Sequence, residues 1–296
     1  MPHRFLSPIL AAVALAVVFA APARADEAAD KQRALQAIQA GDFPTALAVF
    51  KPLADKGDPF AMFVLGQLTE QGAGVPQNMR EAARWYRAAS EAGQPDAMTN
   101  LGFLYEQGKG VPQDYKEAIK LYRAAADAGN PVAATNLGNS YFEGKLVPQD
   151  YKEAAKWYQV GAKLGDPTAQ FNLARMYERG RGVDADPKEA FRLYREAAEL
   201  GLPAAQVNLG ILYAEGKGVP VDNIEAHKWF NLAAGNAEDE PTRQNAARNR
   251  DVVAAKLGPA ELEKAQAAAR DWKPKEPPKP ADAPLAPVPA AAPKKT

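Results

Sequence analysis

Apolar and polar positions recur along this chain with a period of 36 residues. The unit is clearest in residues 95–130, PDAMTNLGFLYEQGKGVPQDYKEAIKLYRAAADAGN. One apolar position is a leucine in every copy: Leu65, Leu101, Leu137, Leu173 and Leu209. A fixed period of this length is typical of a solenoid, in which each unit buries its apolar face only against its neighbours.

Each unit predicts two helices. The first begins at a proline, whose missing N–H has no cost at the first helical position. It ends at a glycine-rich corner, and the second helix ends at another glycine, because glycine favours a left-handed backbone. The second helix begins at Asn or Asp with Glu three residues later, which predicts a capping box. Ala82, Trp85, Tyr86 and Ala89 have core spacing.

The full pattern is A-x-x-x-L-G-x-x-Y-x-x-G-x-G-V-x-x-D-x-x-E-A-x-x-W/L-Y-x-x-A-A-x-x-G. It resembles the Sel1-like repeat, a relative of the tetratricopeptide repeat. Five copies are predicted at residues 58–94, 95–130, 131–166, 167–202 and 203–238. The resemblance implies an all-α fold, a right-handed α-solenoid of helix–turn–helix repeats, with a concave groove. Three local departures are expected to leave this fold intact: Thr69, Leu146 and Ala174.

Different elements are predicted outside the repeats. Residues 1–25 have a short basic start, an apolar run and an A-x-A site, which predict a signal peptide cleaved between Ala25 and Asp26. An uncleaved N-terminal anchor is the alternative. Capping helix pairs are predicted at residues 26–57, like a tetratricopeptide hairpin, and at 239–272; residues 273–296 predict a disordered tail rich in Pro, Ala and Lys. We expect a periplasmic protein without an integral membrane segment after cleavage, or alternatively a secreted one.

Composition and motifs argue against several function classes. The formal net charge is zero, so a strong attraction to nucleic acid is not implied. The chain has no cysteine, which excludes disulfides, thiol chemistry and cysteine-ligated metals. His227 would be the single histidine of the mature chain, at a variable position, and is expected to be a surface or packing residue. We found no motif of a nucleophilic or phosphate-binding site, and expect no enzyme, metal or cofactor.

Positions 60, 63, 67, 70 and 71 and their successors vary between the copies, whereas the positions between them recur. The resemblance implies that this variable stripe lines the concave groove. The stripe contains Phe60, Phe63, Thr99, Phe103, Thr135, Asn139, Phe142, Phe171, Arg175, Arg179 and Ile211. An asparagine ladder runs beside it: Asn100, Asn136, Asn172 and Asn208.

These residue types suggest how a partner would be bound. Asparagine amides can pair with the backbone of an extended peptide. Phe63, Phe103, Phe142 and Phe171 would supply apolar anchors, and Arg175 and Arg179 would meet a carboxylate. Two alternatives remain open. In the first, the asparagines bond to the neighbouring repeat; in the second, the arginines are a solvated pair near Glu178.

The sequence therefore predicts a non-catalytic periplasmic scaffold or regulator that binds a partner peptide or loop in its groove. The resemblance implies a protein partner, such as the outer domain of a membrane sensor or an envelope assembly factor. One alternative is an envelope enzyme or ligand binder of the β-lactam or peptidoglycan-binding kind. Sel1-like proteins linked to β-lactams have cysteine-bridged repeats, however, and this chain has no cysteine. Another alternative is a secreted factor that binds a host protein.

Overall fold

The computed structural model describes residues 22–276, with side chains from residue 27 onward, and this range contains fourteen helices. Their bounds are α1 Pro22–Gln39, α2 Phe43–Asp55, α3 Pro59–Gln71, α4 Met79–Glu91, α5 Pro95–Gln107, α6 Tyr115–Asp127, α7 Pro131–Glu143, α8 Tyr151–Lys163, α9 Pro167–Arg179, α10 Pro187–Glu199, α11 Pro203–Glu215, α12 Asn223–Asn236, α13 Glu240–Ala254 and α14 Pro259–Asp271. Through the repeats, each helix packs mainly against its neighbours in the chain, which confirms the predicted α-solenoid. The predicted signal peptide up to residue 21 and the tail from residue 277 lie outside the described residues.

The second helix of every repeat begins at a side-chain cap, as predicted, but the capping box is only half formed. The Asp114 carboxylate accepts from the backbone N–H groups of Lys116 at 2.9 Å and Glu117 at 3.1 Å. The N–H of Asp114 donates instead to the carbonyl of Tyr105 at 3.0 Å. Glu117 is therefore not needed at that N–H and pairs with Lys120 at 3.0 Å. The backbone bond joins the end of one helix to the start of the next, and it recurs in all five repeats.

The corner between the two helices depends on a glycine that approaches the preceding repeat. Gly110 has φ 72°, and a Cβ there would lie 2.2 Å from the carbonyl oxygen of Met79. Leu146 occupies this position in the third repeat, and none of the described non-glycine residues has a positive φ. The corner of that repeat consequently has a different backbone conformation, and Leu146 packs against the neighbouring core.

The core of each repeat is a ring packed on a small residue. Tyr86, Tyr122, Tyr158 and Tyr194 are among the largest fully buried side chains of the second helices. A Cβ placed on Gly138 would lie 2.5 Å from the ring of Tyr158, and Gly66 and Gly102 face Tyr86 and Tyr122 in the same way. The small residue therefore sets how closely the two helices of a repeat approach.

Helix pairs also occupy the two segments for which the sequence predicts caps. At the N-terminal end, α2 buries Phe50 beside Phe60 of α3, with ring centroids 6.1 Å apart. At the C-terminal end, α13 and α14 both pack on α12, and the Trp272 ring lies 6.0 Å from that of Trp229. The chain then continues to Lys275, whose N–H donates to the carbonyl of Glu199 at 2.8 Å.

We predict that Gly138→Ala lowers the free energy of unfolding by about 1–3 kcal/mol, because the Tyr158 ring must shift to admit a methyl group. The loss should exceed the gain in helix propensity of about 1 kcal/mol from replacing glycine by alanine. Urea denaturation followed by circular dichroism measures this change.

Gly235→Ala in α12 is the matched control. No atom lies within 4 Å of a Cβ at that site, so the same substitution should stabilise the protein by about 0.5–1 kcal/mol. An unchanged urea midpoint for Gly138→Ala would contradict the role given to the ring contact. It would mean that the ring can move aside, as it must over Ala174 in the fourth repeat.

Candidate functional site

The first helices of successive repeats lie side by side. The Thr135 hydroxyl of α7 donates to the carboxylate of Asp166, the cap of α9. Likewise Asn130, the cap of α7, donates to Asp96 of α5 at 2.8 Å. These contacts place the variable stripe of α3, α5, α7, α9 and α11 along one side of the solenoid. We call the accessible part of this side the groove face; it consists of Phe63, Phe171 and positions 67, 70 and 71 with their equivalents in later repeats. Thr99 and Thr135 were also expected here, but they are buried between repeats.

The predicted phenylalanine anchors differ in exposure. Phe103 is 42% exposed, whereas Phe63, Phe142 and Phe171 are half-buried. The rings of Phe63 and Phe171 pack on the core tyrosines of their repeats, with centroids 6.1 and 5.7 Å apart. Phe142 packs on Tyr151 at 5.2 Å. Phe103 is therefore the most accessible of the four anchors, and the other three also stabilise the fold.

Each core tyrosine ends at the groove face, where its hydroxyl needs an acceptor. Tyr86 donates to Glu70 at 2.6 Å, and the same pair forms between Tyr122 and Glu106 at 2.9 Å and between Tyr194 and Glu178 at 2.8 Å. Burial raises the pKa of all three hydroxyls, and the carboxylates raise it further. The hydroxyls therefore stay protonated and donate. Sequence reasoning missed these pairs, although glutamate recurs at the right spacing.

The asparagine ladder takes part in the same network. Asn172 donates to Asn139 of the preceding repeat at 3.3 Å. Asn100 and Asn208 lie beside the hydroxyls of Tyr86 and Tyr194, where their amides oppose the increase in pKa that burial causes. Three of the four asparagines thus contact the preceding repeat, as the packing alternative requires. All four remain half-buried, so their role in binding a peptide stays a prediction.

The third repeat departs from the others at the tyrosine pair. Phe142 stands where the first, second and fourth repeats have a glutamate acceptor. The hydroxyl of Tyr158 donates instead to the side-chain oxygen of Asn139 at 2.7 Å. One groove-face residue has therefore replaced another as the partner of the core tyrosine, and a carboxylate is missing from this part of the surface.

A pocket of about 130 Å³ lies at this departure, between α7 and α9. It is lined by Asn139, Phe142, Glu143, Tyr158, Asn172, Arg175, Arg179 and Arg181. We call it the arginine pocket. It brings together four of the predicted residues, Phe142, Asn172, Arg175 and Arg179. The other six do not line this pocket: Phe63, Phe103, Phe171, Asn100, Asn136 and Asn208.

Positive charge is in excess in the arginine pocket. Within the described part of the chain, Arg175, Arg179 and Arg181 form no ion pair within 4 Å. The guanidinium of Arg175 lies 5.7 Å from the ring centroid of Phe171, and that of Arg181 lies 6.0 Å from the ring of Tyr151. Glu178 is bonded to Tyr194. The arginines form no ion pair with Glu178, and the alternative of a solvated pair stays open.

A second pocket, of about 240 Å³, lies at the C-terminal end of the solenoid. It is lined by His227, Asn231, Arg250, Gln266 and Arg270. His227 is 3% exposed, so it is a packing residue and not a surface one. Burial lowers its pKa, and the nearby charge of Arg250 lowers it further, which keeps the imidazole neutral.

Among residues 22–276, no group of three or more His, Cys, Asp or Glu side chains is arranged to hold a metal ion. None of the helices in this range is long and apolar enough to cross a membrane.

Comparison with known proteins agrees with this geometry. The family model described as Sel1 repeat matches five consecutive segments, residues 59–94, 95–130, 131–166, 167–202 and 203–236, which together make more than half of the chain. The chain belongs to the Sel1 repeat family. Family membership supports a role in protein–protein interaction. The comparison with curated proteins gave no match.

Two solved structures extend this result. A Sel1 repeat protein from Oxalobacter formigenes is 33% identical, with a TM-score of 0.69 over 81% of this chain and 96% of that protein. The protein c5321, a protective antigen present in uropathogenic Escherichia coli strains, is 32% identical, with a TM-score of 0.71 over 84% of this chain. This Sel1 repeat protein spans about half of that antigen, 54% of its length.

We predict that Asn139→Ala lowers the free energy of unfolding by about 1–3 kcal/mol, because the buried Tyr158 hydroxyl loses its acceptor. Adding Phe142→Glu should recover most of this loss, since the other repeats place a glutamate acceptor at that position. Urea denaturation of the single and double variants measures both effects.

Asn136→Ala is the control on the same helix. Asn136 forms no side-chain hydrogen bond to the described residues and should be replaceable with little loss. Equal losses for Asn136→Ala and Asn139→Ala, or no recovery with Phe142→Glu, would contradict the assigned exchange of acceptors.

Proposed function

We propose that this Sel1 repeat protein is a non-catalytic scaffold or regulator of the periplasm that binds a partner peptide or loop on its groove face. One observation carries the proposal. One position of this face holds a different residue in every repeat, whereas a core position of the same helices is always leucine: Gln67, Phe103, Asn139, Arg175 and Ile211 contrast with Leu65 and its equivalents. A surface that served only to close the solenoid would be expected to repeat as the core does.

The chemistry of the groove face supports a peptide partner. Phe103 is exposed, and Lys109 lies 5.6 Å above its ring. Asn136 has amide donors and an acceptor without a partner among residues 22–276, and Arg175 and Arg179 lie one helical turn apart. Aromatic and arginine side chains dominate binding energies at protein interfaces, and amides suit the backbone of an extended chain.

The location and the identity of the partner rest on the sequence. A cleaved signal peptide at residues 1–25 would deliver the repeats to the periplasm. There the accessible partners include the outer domain of a membrane sensor and envelope assembly factors.

We predict that Asn136→Ala combined with Asn172→Ala weakens binding of the partner by more than about tenfold, because two amide contacts are worth about 2 kcal/mol. The thermal midpoint should change little, since Asn136 has no internal bond among the described residues and the Asn172 bond is long at 3.3 Å. The measurement is a crosslinking pull-down of the mature chain from periplasm and membranes.

The matched control is Asn245→Ala with Asn249→Ala, an exposed asparagine pair on α13 that bonds only internally at 3.2 Å. This variant should retain the partner. Loss of the partner with both variants, or with neither, would remove the site from the groove face. A collapsed melting curve for Asn136→Ala with Asn172→Ala would show that the ladder is structural.

A further inference from the structure

The arginine pocket is where several departures from the repeat meet. Arg175 stands where the other repeats have Gln67, Phe103, Asn139 and Ile211. Arg179 stands where they have Gln71, Gln107, Glu143 and Glu215. Neither arginine recurs in another copy, and neither position is needed for the core. Phe142 is likewise the only phenylalanine at its position in the five repeats. All three residues lie at the junction between the third and fourth repeats.

Phe142 also removes an acid that could pair with Arg181. In the preceding corner, the equivalent residue Lys145 pairs with Glu106 of the repeat before it at 3.3 Å. For Arg181, the residue in the place of Glu106 is Phe142. Arg181 thus lacks the acid with which Lys145 pairs, and it lies beside the two added arginines.

The size and lining of the pocket limit its ligand. A volume of about 130 Å³ is well below that of drug-sized sites, which are typically about 300–1,000 Å³. Three guanidinium groups favour an anion, and arginine matches the geometry of a carboxylate. Glu143 is the single carboxylate of the lining, and it disfavours a doubly charged phosphate relative to a singly charged group. The Phe142 ring provides an apolar wall beside the charges.

We propose that the arginine pocket binds the carboxylate of an aspartate or glutamate side chain in an extended segment of the partner. This inference rests on the proposed function, which supplies a bound peptide. It adds that the peptide contains an acidic residue next to an apolar one. Arg175, Arg179 and Arg181 bind the carboxylate, and Phe142 contacts the neighbouring apolar side chain. Asn172, at the edge of the pocket, pairs with the peptide backbone.

Selection of random peptides on the full chain tests the proposal without knowledge of the partner. The selected peptides should be enriched in Asp or Glu beside an apolar residue. A synthetic peptide from this set should bind at least about tenfold more weakly to Arg175→Gln with Arg179→Gln, because two charge-assisted contacts are lost. The matched control is Arg80→Gln with Arg84→Gln, the same loss of charge on two exposed arginines of α4.

Phe142→Glu provides a test that keeps all three arginines. It introduces the carboxylate that the first, second and fourth repeats have at this position. That carboxylate would form ion pairs with the arginines and accept a hydrogen bond from Tyr158. The variant should lose the acidic peptide by at least about tenfold while its thermal melting remains cooperative. Changing the acidic residues of the peptide to Asn or Gln should weaken binding to the wild type at least about tenfold but should change binding to Phe142→Glu little, because the introduced carboxylate has already removed the preference for an acid.

The outcomes separate this inference from the proposed function. Selected peptides without acidic enrichment, or acidic peptides that bind all variants equally, would overturn the inference and leave groove binding in place. Stronger competition by inorganic phosphate than by acetate would assign the pocket to phosphate and also overturn it. Failure to select any peptide would contradict the proposed function itself.

Discussion

The close contact between a buried aromatic ring and a small residue is the constraint on which the solenoid depends. It recurs in each repeat and fixes the spacing of the two helices. In the first four repeats the ring is a tyrosine. Its hydroxyl therefore lies at the groove face, where it needs a hydrogen-bond acceptor. Three repeats supply a glutamate, as Tyr122 and Glu106 illustrate. The packing of the core thereby determines part of the chemistry of the surface that faces a partner.

The same constraint explains how the arginine pocket arises within a regular fold. Phe142 can replace a glutamate because Asn139, one turn earlier, accepts from Tyr158. With the hydroxyl satisfied, the loss of the carboxylate leaves the core intact and changes only the charge of the surface. Glu143 is then the single carboxylate beside Arg181 and the two neighbouring arginines, and none of the three forms an ion pair with a described residue. A local exchange of hydrogen-bond partners has converted a structural position into a candidate binding site.

The helices and the order of the repeats could be predicted from the sequence because they depend on local patterns and on the period. The predicted capping box is only half correct. Once the corner closes, the N–H of Asp114 donates to the backbone carbonyl of Tyr105, nine residues earlier. Arg175 and Arg179 were found because they share one helix face. Arg181 was missed because its expected partner belongs to the preceding repeat, and that register exists only in the folded solenoid.

The two interpretations of the asparagine ladder are compatible, because an amide has two donors and one acceptor. Asn172 uses one donor for Asn139 and remains half-buried, so it retains capacity for a ligand. In a solenoid, stability is the sum of repeats and their interfaces, so a substitution affects mainly its neighbours. Asn139 links stability to binding, because it lines the arginine pocket and also accepts a hydrogen bond from the buried Tyr158 hydroxyl. Arg175 and Arg179 line the pocket without bonding to a core hydroxyl. The groove face can therefore change specificity at the arginines without disturbing the repeat that positions them.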